Sequence, residues 1–223
     1  MNTFHSSRQL VLLVTGIFLV SGCASVSVKD DRLVGDGGLT KPERIYVLPF
    51  STSGEFNVDR EGAELAQFER DLQNMMTAAL LERFPNHLVP ASPASSLAAV
   101  PQGNFWVVGG RFTRVNQGSR ALRAVVGFGA GGTKVETDVY VYDRTLGSDL
   151  PFKTFRTTGG SGAQPGAVLS AGPVGAAVSA VGGAAKGLTD DVVRTSRMIT
   201  ADLSEYMFER DWIPEAKRLN AKR

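Results

Sequence analysis

The chain has 223 residues, with 24 Lys plus Arg against 22 Asp plus Glu and a formal net charge of +2, which excludes a strongly basic nucleic-acid binder and an acidic solvating tail. A hydrophobic content of 43% with 21% charged side chains describes a globular chain of one domain or two small ones. One Cys and two His exclude a disulfide framework and a Cys/His zinc site.

Residues 1–9 are polar and carry one cation, Arg8; residues 10–20 form an apolar run interrupted only by Thr15 and Gly16. A positive leader before a short apolar core is the pattern of a secretory signal peptide. A membrane-spanning helix needs about 20 apolar residues, so this run is too short for one. Small residues follow, and then the only cysteine: Val20, Ser21, Gly22, Cys23. This tetrad resembles the lipobox of bacterial lipoproteins. The resemblance implies a diacylglyceryl group on the Cys23 thiol, removal of residues 1–22 and acylation of the new amino group. Several acyl chains anchor a protein stably, because each buried CH2 contributes about 0.8 kcal/mol. Ala24 stands where Gram-negative lipoproteins kept from the outer membrane carry Asp. The resemblance therefore implies a lipid-anchored outer-membrane protein whose domain faces the periplasm.

Residues 23–43 read as the lipidated cysteine and a flexible tether, with Gly35, Asp36, Gly37 and Gly38 and little apolar content. A domain is expected over 44–213, followed by a polar tail over 214–223. Residues 44–50 (RIYVLPF) predict the first strand, ended by Pro49, with a loop over 51–57. Residues 59–84 predict a helix that opens on Asp59 and is stopped by Pro85. Leu65, Phe68, Leu72, Met75, Ala79 and Phe84 trace its inner stripe. The Met75–Met76 pair fits core gap-filling better than an adaptable binding surface.

Residues 105–116 predict a second strand with a bulge at Gly109–Gly110. Residues 133–143 alternate strictly, placing Val135, Thr137, Val139 and Val141 on a buried face and Lys134, Glu136, Asp138, Tyr140 and Tyr142 on a wet one. Residues 152–158 predict a shorter strand. Residues 190–212 predict a closing helix with Val192, Ile199, Leu203 and Tyr206 inside, ended by Pro214. The order strand, helix, three strands, helix predicts a two-layer α+β domain: a mostly antiparallel sheet with helices on one face.

Glycine is abundant, 25 residues, and concentrated in two stretches, 118–132 and 157–185; the second has no charged side chain. Gly127, Gly129 and Gly132 satisfy G-x-G-x-x-G, but a dinucleotide site needs a helix after the motif, and here a strand follows. The second stretch contains Pro165 and Pro173, few large apolar residues and no alternation. Surface loop, oligomer or partner contact, and membrane insertion are the readings open to it. Arg111, Arg114, Arg120 and Arg123 fall within thirteen residues. They would meet an anionic partner such as lipid headgroups or envelope polysaccharide, or form a solvated face with local acidic partners. Gly127, Gly129, Gly131 and Gly132 are candidate loop contacts.

The Gly109–Gly110–Arg111 run, Arg120, Arg123, the Gly127–Phe128–Gly129 cluster and the strand ending Val141–Tyr142–Asp143 resemble an uncharacterised family of bacterial lipoproteins, known as a domain of unknown function. The element order is more distantly similar to curli-secretion channel and penicillin-binding-protein activator lipoproteins. The long alternating hairpins of the secretion channel are missing.

The catalytic inventory is thin. His5 leaves with the signal peptide and Cys23 is blocked by its lipid. His87 has no G-x-S-x-G nucleophile elbow to serve. Ser161 sits in a glycine loop, and the acid pairs Asp30–Asp31 and Asp190–Asp191 read as tether and helix start. The sequence therefore predicts a non-enzymatic envelope adaptor or assembly factor. The alternative is a self-assembling ring or accessory subunit of an envelope secretion system. The expected partners are the membrane through the lipid and an envelope protein or further copies of the chain. No nucleic acid, small-molecule substrate, metal or cofactor beyond the acyl chains on Cys23 is expected.

Overall fold

The computed structural model describes residues 26–35, 38–118, 132–145, 147–160 and 186–220. Seven strands form one sheet: β1 Val26–Leu33, β2 Arg44–Val47, β3 Glu55–Asn57, β4 Ala91–Pro93, β5 Phe105–Asn116, β6 Lys134–Asp143 and β7 Lys153–Gly160. Among the described residues two α-helices, α1 Gly62–His87 and α2 Lys186–Phe208, pack together on one side of it. The spatial order is β1-β7-β6-β5-β2-β4, with β3 beside the far half of β5. The long ladders, β1/β7, β7/β6 and β6/β5, are antiparallel. The short pairings of β2 with β4 and β5, and of β3 with β5, are parallel. The fold is thus the expected two-layer α+β arrangement. The parallel corner arises because α1 carries the chain from β2 back to β4, the crossover that parallel neighbours require.

Periodicity explains what was legible. In β6, Val135, Thr137, Val139 and Val141 are fully buried and Lys134, Glu136, Tyr140 and Tyr142 are half-exposed, but Asp138, expected on the wet face, is buried because Arg111 and Arg156 bond its carboxylate. In α1, Phe68, Leu72, Met75, Met76, Ala79, Leu80 and Phe84 are buried, so both methionines are core. One hydrophobic cluster joins these residues to Ile45, Val47, Phe50, Trp106, Phe112, Ile199 and Leu203. The sheet's second face carries no helix among the described residues.

Several boundaries differ from expectation. Residues 26–33, read as tether, form edge strand β1. Its Val-Ser-Val-Lys start does alternate, and the pattern breaks only at a bulge between Lys29 and Arg32, where Asp30 takes φ +52°. The expected 51–57 loop contains β3, and β4 was not foreseen. Both are three residues long, too short to show a period. Glu61 is still extended (φ −138°, ψ 163°), so α1 opens at Gly62 rather than near Asp59. Gly62 has φ +53°, which glycine adopts at little cost.

Pro85 does not stop α1. It lies in the last turn, where a missing N–H costs one bond, and the helix runs on to His87. Lys217 Nζ donates to the Pro85 and Leu88 carbonyls at 3.3 and 2.9 Å, satisfying acceptors the helix end leaves open. The expected polar tail is therefore docked at its start. Arg218 also makes two bonds to Glu205, at 2.6 and 2.7 Å. Helix α2 covers 186–208 instead of 190–212.

Candidate functional site

The face opposite the helices carries the densest cluster of charge. Arg111 on β5, Asp138 on β6, Arg156 on β7 and Asp30 on β1 form a ladder across four strands. Arg111 Nε and Nη2 both donate to Asp138 Oδ2, at 3.0 and 2.8 Å. Arg156 Nε donates to Asp138 Oδ1 at 2.8 Å, and Arg156 Nη1 lies 3.4 Å from Asp30 Oδ2. Sheet register makes this possible, because Arg111, Asp138 and Arg156 stand in one row of paired residues.

The Asp138 carboxylate is almost buried. Burial pushes its pKa up, but the bonds from Arg156 and Arg111, with their charges, outweigh burial and leave it below the ordinary carboxylate value. The same bonds raise both arginines. Beside the ladder lies a shallow groove of about 280 Å³, lined by Asp30, Arg32, Asp138, Tyr140, Thr154 and Arg156. It offers guanidinium, carboxylate and hydroxyl groups. This is the vocabulary of polar recognition.

Two irregularities build the face. In β5 the register slips between Phe112 and Arg114. The bulge therefore sits at Thr113, not at the expected Gly109–Gly110. Residues three apart in a regular strand point to opposite faces. The extra residue lets Phe112 and Val115 both enter the core while Arg111 and Arg114 both stay exposed. In β1 the bulge splits a carboxylate pair. Asp30 meets Arg156, and Asp31 meets the Nζ of the buried Lys153.

Lys153 also lies 3.2 Å from Asp202 of α2 and 5.6 Å from the Tyr206 ring centre. Burial pushes the Asp202 carboxyl up to about 6 despite Lys153. Burial likewise raises Asp191, also to about 6, against the Thr133 hydroxyl at 2.6 Å and Arg194 at 3.1 Å.

These two acids set a pH dependence. Each folded-state value exceeds the unfolded value of about 3.8, so the folded protein binds more protons between about pH 4 and pH 6. Their contribution to stability is full below that window and is lost as pH rises through it. Asp138 acts in the opposite sense, its contribution being lost only as pH falls below the ordinary carboxylate range. Urea unfolding at pH 4.5 and pH 7 should show a smaller loss of stability in Asp202→Asn than in the wild type. An equal loss would mean that Asp202 ionises normally.

The sequence-predicted residues fare unevenly. Arg111 belongs to the ladder, and Arg114 lies 3.5 Å from Glu55 on β3, so both have acidic partners. Gly132 is half-buried just before Thr133, whose hydroxyl bonds Asp191. Val20, Ser21, Gly22, Cys23, Arg120, Arg123, Gly127, Gly129 and Gly131 lie outside the described residues. Sequence reasoning missed Arg156 and Asp30 as members of the site, and left Asp138 as one of several wet-face residues. Among the described residues no group of three or more His, Cys, Asp or Glu is placed to hold a metal ion. No described helix is long and apolar enough to cross a membrane.

A family profile described as a domain of unknown function, DUF4410, matches residues 24–178. The chain belongs to that family. The match spans β1 to β7, so it covers every strand of the ladder. No curated protein matches the chain. Among solved structures, the chain is similar to the PelC dodecamer from Paraburkholderia phytofirmans at 12% identity and a TM-score of 0.38, over 75% of this chain and 95% of that one. A point variant of the same PelC dodecamer gives 11% identity and a TM-score of 0.37 over the same shares.

Proposed function

We propose that this DUF4410 chain is a lipid-anchored envelope protein. Cys23 carries the acyl chains at the outer membrane, and the α+β domain faces the periplasm as a non-enzymatic adaptor or assembly module. The observation that carries this reading is the placing of the only cysteine at the end of a Val-Ser-Gly-Cys tetrad behind a short apolar leader. The ladder of Arg111, Asp138, Arg156 and Asp30 supports the binding role, since its guanidinium and carboxylate groups suit a polar partner.

Radiolabelled palmitate fed to expressing cells, with intact-protein mass, tests the anchor. The wild type should incorporate label and have a mass equal to residues 23–223 plus three acyl chains and glycerol. Cys23→Ser should incorporate none. Label retained in Cys23→Ser, or an unmodified wild-type mass, would sink the reading. The partner is an envelope protein or further copies of the chain. The mass of the lipidated protein in detergent separates these. A multiple of the monomer assigns a self-assembled ring or secretion accessory, and a monomer assigns an adaptor.

A further inference from the structure

We propose that the domain stands end-on to the bilayer, presenting to the lipid headgroups the end of the sheet where β1 starts, β7 ends, β6 starts and β5 ends. This rests on acylation of Cys23.

A chain advances at most about 3.6 Å per residue. Val26, the first residue of β1, is three residues beyond Cys23. The anchor therefore lies within about 11 Å of the sheet. A flexible tether lasting to residue 43 would have allowed about 70 Å and no fixed orientation. β1 is fastened along its length. Val26 pairs with Gly159 and Ser27 with Thr158, and the two hydroxyls of the latter pair are 3.0 Å apart. Further along, Asp31 and Asp30 hold Lys153 and Arg156.

Register carries this end across the sheet. Gly159 pairs with Val26 on one side and Val135 on the other, Gly160 pairs with Lys134, and Lys134 pairs with Asn116. The starts and ends of four strands are thus flush. The Thr133–Asp191 bond holds the beginning of α2 to the same end. The described groups there are both neutral and charged: Ser27, Asn57, Asn116 and Thr158, Gln117 with Arg60 Nη1 at 3.4 Å, the exposed Asp59 and Glu61, and Lys134 bonded to Glu136 at 2.7 Å. The opposite end carries the exposed Asp149, Leu150, Leu33 and Val34. With a rise of about 3.3 Å per residue along β5, it stands roughly 35 Å farther out.

Two positions separate this orientation from its rivals. Gln117 is at the proposed end but three strands from β1, and Leu33 is on β1 but at the far end. Acylation blocks Cys23, so Gln117→Cys and Leu33→Cys each give one free thiol for an environment-sensitive dye. The lipidated full chain is placed in phosphatidylethanolamine/phosphatidylglycerol vesicles containing a headgroup spin-labelled lipid. End-on standing predicts at least twofold stronger quenching at position 117 than at 33. Quenching at 33 equal to or above that at 117 would mean that β1 lies along the membrane. Absence of quenching at both would mean a domain held away from it. Either overturns the proposal while leaving the anchor intact. Two dyes per chain would reveal a free Cys23 and remove the anchor itself, and the proposal with it.

Discussion

Trp106→Ala should lower the unfolding free energy by about 3–5 kcal/mol, the usual cost of deleting a large buried aromatic. Trp106 has no exposed surface. It lies on β5, and its ring centre is 5.0 Å from Phe152, 5.8 Å from Tyr206 and 5.8 Å from Trp212. These rings come from the residue just before β7, the end of α2 and the segment after it. The cluster therefore joins the sheet to the last helix, where no long ladder does so. Its indole Nε1 also donates to Asp143 Oδ2 at 3.2 Å, and Asp143 is buried. Truncation leaves a cavity and removes one of the carboxylate's donors, although the Thr145 N–H remains on the other oxygen at 2.6 Å. Trp106→Phe keeps most of the ring volume and should cost less than half as much. Since domains are stable by about 5–15 kcal/mol, urea midpoints will separate the two variants clearly. A loss below about 1.5 kcal/mol for Trp106→Ala would show that the cluster collapses onto the vacancy.

The sequence exposed the layers more readily than the site. Strand β6 and helix α1 were legible because each has one buried and one wet face over ten or more residues, and burial then imposes a countable period. The same logic put Asp138 on the wet face of β6. It could not supply Arg156, which depends on how the chain between β6 and β7 sets the register, nor Asp30, which depends on a bulge. The arginine cluster shows the limit in another form. Spacing in sequence made Arg111 and Arg114 look like neighbours, while an unbroken strand would have sent them to opposite faces. The extra residue at Thr113 puts both on the open face, and each then finds an acid on a different strand, Asp138 or Glu55. Strand β1 was hidden by its composition, since Asp30, Asp31 and the glycines after it read as linker. Its acids are instead spent on Arg156 and Lys153.

Gly110→Ala should be strongly destabilising, by about 3 kcal/mol, at the upper end of what overpacking usually costs. The adjacent Gly109→Ala should cost less than about 1 kcal/mol. Both glycines lie in the middle of β5, and neither has the positive φ that would call for glycine on conformational grounds. The difference is in what a methyl group would meet. At Gly110 it would sit 2.3 Å from the Asp138 carbonyl oxygen and 2.6 Å from the Phe50 ring. The first obstacle is backbone and the second a side chain with no exposed surface, so neither can yield without moving β6 or the core. At Gly109 the methyl group would meet Leu48 at 3.3 Å, and Leu48 is only half-buried and able to shift. The pair read in sequence as a bulge is thus a place of close approach between β5, β6 and Phe50. Movement of β6 at Asp138 would also disturb the acceptor shared by Arg111 and Arg156. Chemical denaturation of the two variants side by side checks this. Equal losses would show that the strands can part at Gly110 and that the close approach does not constrain the open face.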